Sequence, residues 1–140
     1  NMNNEIMYYY GDEAKRVTVM DVKPEDLRAV AKEFIANPEN KANMPEFHPA
    51  DPPLPIFGAY PVTKNHIISV QTDRSTNYEV YFQIQNELMA AYNELRDELA
   101  REKFGKYYRH LDPESDEALA IRGVYPMKIS EAEPKKYGGN

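Results

Sequence analysis

The sequence predicts an α+β two-layer sandwich: a small mixed sheet with two main helices packed on one face, plus a proline-rich insertion. Three observations point there. Runs near the start and around Ile67 are rich in β-branched and aromatic residues, as strands are. Two other segments repeat apolar residues at helical spacing. The order strand, strand, helix, strand, helix then offers one sheet to receive two apolar helix stripes. At 140 residues the chain is expected to form one domain with a sizeable core.

Ile6–Tyr10 ("IMYYY") reads as a strand entering a turn at Gly11-Asp12. Val17–Val22 ("VTVMDV") alternates as a short second strand. Pro24 suits a first helical position, and Glu25 and Asp26 lie where the helix dipole favours negative charge. Leu27, Val30, Ala31, Phe34 and Ile35 form one stripe, so the spacing predicts a helix over Pro24–Ala36, ended by Asn37-Pro38. From residue 37 to 64 the pattern fails and prolines crowd together. This insertion is read as an extended, partly polyproline excursion over the domain, anchored by Leu54, Ile56, Phe57 and Tyr60. The alternative is a mobile segment that meets another molecule.

The strand resumes at His66. Ile67, Ile68 and Val70 are nearly continuous, as in a strand covered on both faces or in mid-sheet. Thr76 and Glu79 fit a capping box. Behind it, Tyr81, Ile84, Leu88, Ala91, Leu95 and Leu99 mark a long helix reaching about Phe104, before Gly105. A shorter helix is expected from Pro113 to about Arg122, capped by Asp112, then a closing strand in "MKISEA" and a loose tail over 134–140.

Composition removes several functions. The formal net charge of -6 argues against nucleic acid, which needs a basic face. With no cysteine, disulfides and thiol catalysis are excluded. P-loop, G-x-G-x-x-G and G-x-S-x-G patterns are absent, and no cofactor is implied. His48, His66 and His110 lack metal-ligand spacing, so no metal is expected. Asp73 and Arg74 close a strand with no second carboxylate, histidine or hydroxyl at catalytic spacing. They are read as turn chemistry at a helix start, and a small hydrolase pairing Asp73 with His66 has little support. No catalytic residue is assigned. Among eleven tyrosines, Tyr107, Tyr108, Tyr125 and Tyr137 fall in poorly patterned stretches and are candidates for partner contact.

"DVKPEDLRAVAKEFIANP" and "HIISVQTDRSTNYEVYFQIQNELMAAYNELRDELA" resemble the periplasmic domain of the ExbD/TolR biopolymer transport family. That family shows a strand pair, a helix opening on a Pro- or acid-rich turn, then an apolar strand ending in aspartate and a tyrosine beginning the next helix. Here the matching positions are Val17–Val22, Leu27–Ile35, Ile67–Thr72, Asp73 and Tyr78, with Arg74 and Thr76 in the same turn. "KISEAEPKKYGG" is similar to the ending of a long-insert branch. The insertion, the longer second helix and the added third helix depart from ordinary members.

The resemblance implies a soluble periplasmic domain, 1–140, of an inner-membrane subunit that uses the proton gradient. Its partners would be ExbB-like and TonB-like proteins, and it would act as a homodimer. The start at Asn1 rather than Met is read as that of a fragment with a signal peptide or an anchor cut off upstream; the resemblance implies a membrane helix carrying the proton-responsive aspartate outside these residues, and Asp73 is not its counterpart. Strand edges are the expected docking devices, with Ile6, Tyr8 and Tyr10 on one candidate edge and Met127 and Ile129 on the other. A TolR-like module anchored on peptidoglycan is the alternative.

Overall fold

In chain order the elements are β1 (Glu5–Tyr10), β2 (Glu13–Thr18), α1 (Pro24–Ala36), β3 (Phe47–Pro49), β4 (Pro61–Thr63), β5 (His66–Gln71), α2 (Tyr78–Phe104), α3 (Asp116–Val124) and β6 (Ile129–Glu131). They belong to a computed structural model that describes residues 5–10, 13–18, 23–63, 66–71 and 78–131. Alternation sends Ile6 and Tyr8 of β1, and Ile68 and Val70 of β5, to one face of a four-stranded sheet, where all four are buried. The strand order is β2-β1-β5-β6. β1 is antiparallel to both neighbours, in register Tyr8↔Ile68 and Tyr10↔His66, and β6 runs parallel to β5.

α1 and α2 cover that face. Leu27, Ala31, Phe34 and Ile35 meet Ile84, Leu88, Ala91 and Leu95 over the strands, and this cluster is the main core. The fold is the α+β sandwich with two helices on one face. The opposite face is partly open: Tyr9 and Ile67 pair across strands and stay 37% and 48% exposed. β5 is thus in mid-sheet, and on its second face Ser69 is still buried beside Met7. Both helix limits follow from local chemistry. Pro24 begins α1, and Asn37 ends it in the left-handed region at φ 41°. Gly105 at φ 75° stops α2.

β2 begins at Glu13 rather than at Val17. The register Tyr10↔Glu13 leaves only two residues between the strands, so the tight connection fixes the pairing and the later apolar run does not. Residues 19–22 lie outside the described residues.

The insertion is more ordered than an extended excursion. β3 and β4 pair as an antiparallel ribbon, and Leu54 and Gly58 bridge at its tip. Leu54, Phe57 and Tyr60 pack on a second cluster of Ala50, Val62, Leu99, Ala100, Ile121 and Val124. Ile56 does not anchor anything: it stands at φ 63° on the turn and is 61% exposed. α3 starts at Asp116, later than Pro113, because Asp112 caps a preceding turn through the Glu114 N–H. Ser115 caps the helix itself, its Oγ accepting from the Ala118 N–H at 3.1 Å. The close seating of insertion on α3 needs Gly123, since a Cβ there would collide with Leu54 Cδ2.

Candidate functional site

The strand pairing corrects one expected edge. β1 is interior, flanked on both sides, so Ile6, Tyr8 and Tyr10 offer no free backbone; their side chains supply core instead. β2 and β6 are the outer strands of this sheet among the described residues. Ile129 lies on β6, whereas Met127 precedes it and is 39% exposed. The Ile68 N–H donates to the Lys128 carbonyl at 2.9 Å. With Ile68 opposite Ile129, Ser130 turns its backbone toward β5, and Ile129 and Glu131 turn theirs outward.

Two side chains of α2 hold the approach to that edge. The Tyr92 hydroxyl accepts from the Lys128 N–H at 3.2 Å, and Arg96 Nε donates to the Tyr125 carbonyl at 2.9 Å. Tyr92 also lies 3.4 Å from Nε2 of His66. His66 is buried, with Phe34 edge-on to its ring, and its Nδ1 has no hydrogen-bond partner among the described residues. Burial, and after it the positive Lys128, pushes the imidazole down to about 4, so it is neutral at physiological pH. The Tyr8 hydroxyl is likewise buried without a partner among the described residues, and burial raises its pKa. Nothing in the spacing of the sequence distinguishes His66 from a surface histidine; its burial comes from the sheet register.

The two flanks of α2 differ. On the α1 side, Arg28 meets Glu87 at 2.8 Å and Glu94 at 2.6 Å, and Lys32 meets Glu94 at 3.2 Å and Glu98 at 2.8 Å. The opposite flank, which carries Tyr92 and Arg96 toward the β6 approach, is uncharged over its first turns. There Tyr78, Phe82 and Met89 are 69%, 47% and 42% exposed, and the Tyr78 and Phe82 rings meet edge-on at 4.5 Å. Tyr78 is the first described residue of α2; Asp73, Arg74 and Thr76 lie outside the described residues.

The tyrosines set aside for partners divide. Tyr108 is occupied within the chain, its hydroxyl accepting from Arg122 at 2.9 Å and its ring lying under Arg96. Tyr125 bridges the two apolar clusters. Tyr107 is also engaged, its hydroxyl accepting from Arg101 at 2.6 Å and its ring lying 5.1 Å and 5.4 Å from the guanidinium groups of Arg101 and Arg109, yet it remains 38% exposed. Tyr137 lies outside the described residues.

A cleft of about 360 Å³ opens where the end of α1 meets β3, β4 and the end of α3. Its walls include Pro38, Phe47, Tyr60, Pro61 and Tyr125. Among the described residues no three His, Asp or Glu side chains are placed to hold a metal ion, and no helix is long and apolar enough to cross a membrane. No family model, curated protein or solved structure matches the chain.

Proposed function

We propose that this chain is the periplasmic domain of an ExbD/TolR-like, proton-motive-force coupling subunit. Anchored at the inner membrane and working with an ExbB-like channel, it helps a TonB-like protein energise outer-membrane uptake. It is not an enzyme in this reading: its work is docking a partner and pairing with its own copy through a strand edge. The sequence resemblance supports this, as does the arrangement of two helices on one face of a small open sheet.

One observation carries the reading. The outward backbone of Ile129 and Glu131 lies on the side of the sheet toward which the uncharged Tyr78–Phe82–Met89 flank of α2 turns. A strand added to β6 gains backbone hydrogen bonds from the edge and apolar contact from the helix above it. The test replaces Glu131 by proline, which removes an outward N–H and leaves the ladder to β5 intact, with Glu131→Ala as the control. With a peptide from the cognate TonB-like linker, Glu131→Pro weakens binding by about tenfold or more while Glu131→Ala does not. Equal binding by the two variants sinks strand addition at this edge.

A second reading, a TolR-like peptidoglycan anchor, is favoured by the exposed Tyr107 ring between Arg101 and Arg109, a polar-aromatic platform suited to sugars. Co-sedimentation with purified cell wall that is lost in Tyr107→Ala selects this reading over coupling.

A further inference from the structure

The cleft between the end of α1 and the insertion shares Tyr125 with the approach to β6 and otherwise is built from different residues. We propose that it binds a proline-rich peptide bearing lysine or arginine. Three features select this occupant.

The first is the wall chemistry. Phe47 is 40% exposed on β3, and Tyr60 and Tyr125 face the same space beside Pro38 and Pro61. Grooves of aromatic rings accept polyproline helices because those chains are already extended and lose little entropy on docking. The second is size. A volume of about 360 Å³ sits at the lower end of the range for ligand sites, enough for a short stretch of chain crossing the surface.

The third is charge. Burial first, then Tyr60, Glu98 and Glu102, push the Tyr125 phenol up to about 12, so the charges of both carboxylates reach one wall of the cleft from outside its lining. Glu39 and Glu46 add side chains that are 69% and 80% exposed near the Pro38 and Phe47 walls. Five carboxylates stand against three lysines around it. Lys41 contacts Glu33 and Glu39, Lys32 contacts Glu94 and Glu98, and Lys103 contacts Glu102 while lying over the Tyr60 ring. A basic ligand is therefore attracted, and an acidic proline-rich ligand is repelled.

The test titrates the isotope-labelled chain with three capped nine-residue peptides: Pro-Pro-Lys, Pro-Pro-Glu and Ala-Ala-Lys triplets. The Pro-Pro-Lys peptide is expected to shift amides of Phe47, Val62, Thr63, Val124 and Tyr125, and to bind about tenfold tighter than either control. Phe47→Ala, at a half-exposed ring, weakens that binding by about tenfold while the thermal transition holds, and Glu102→Gln weakens it by about threefold and flattens its salt dependence. Equal binding of the three peptides overturns the proposal, as does the absence of groove shifts at millimolar peptide. So does a concentration-dependent dimer that shifts the same amides without peptide. Shifts at Ile129–Glu131 alone count for the β6 edge and against this groove.

Discussion

The two apolar clusters share one helix and are built on different rules. Over the sheet, thirteen buried side chains come from strict alternation in β1 and β5 and from the stripes of α1 and α2. At the far end of α2, six buried side chains suffice, four of them alanine or valine, and aromatic rings from turns fill the space between. The first cluster is a product of period. The second depends on single close fits: the Gly123–Leu54 approach, the Ser115 cap, and the buried Asn37 amide that ties the insertion's entrance. Regular patterning makes the body, while an irregular segment is held by a few specific contacts and can shape a cleft.

Core deletions sharpen that contrast most. Leu88→Ala, at a fully buried site over the sheet, is expected to cost about 2–5 kcal/mol of global stability in denaturant unfolding. Ile121→Ala removes similar bulk from the smaller cluster. Its expected signature in hydrogen exchange is faster opening of 47–63 and 116–124, with β1 and β5 amides still protected. If Ile121→Ala speeds exchange in β1 as much as in β3, the clusters form one cooperative unit and the distinction breaks.

Next comes acid, which acts on the sheet side. His66 has a folded pKa of about 4 against an ordinary value near 6.5, so the unfolded chain binds the extra proton first. Stability is full above about pH 6.5, falls as pH drops toward about 4, and the loss is on the order of 3 kcal/mol at most. His66→Gln should flatten that slope in a pH series of unfolding curves; an unchanged slope assigns acid sensitivity to other groups.

The smallest expected effect tests the insertion's entrance. Asn37 Nδ2 donates to the Pro45 carbonyl at 2.7 Å, and its Oδ1 accepts from the Lys41 N–H at 2.8 Å. Asn37→Ala leaves both without a partner and costs roughly 1–3 kcal/mol. Asn37→Gly loses the same bonds but accepts φ 41° freely, and should recover about 1 kcal/mol. Equal midpoints for the two variants remove backbone strain from the account.

Both limits of α1, the end of α2 and the fold class were legible because they rest on local spacing and caps. The role given to β1 as an edge failed for a reason spacing cannot carry: which strand sits in the middle is set by pairing with residues some sixty positions away, here Tyr8 with Ile68. The cleft left one trace in the sequence, the interleaving of proline and aromatic residues in "PLPIFGAYP". Its depth depends on Tyr125 and Pro38 arriving from opposite ends of the chain.

The helices, the apolar faces and the acidic, cysteine-free character could be read from residue order alone, since periodicity and composition act over a few residues. Only the folded chain decided that β6 would be an outer strand, that His66 would be sealed beside Tyr92, and that the proline-rich segment would dock on α3. Those outcomes follow from contacts between distant segments, whose energies depend on shape at the meeting point and leave no periodic mark.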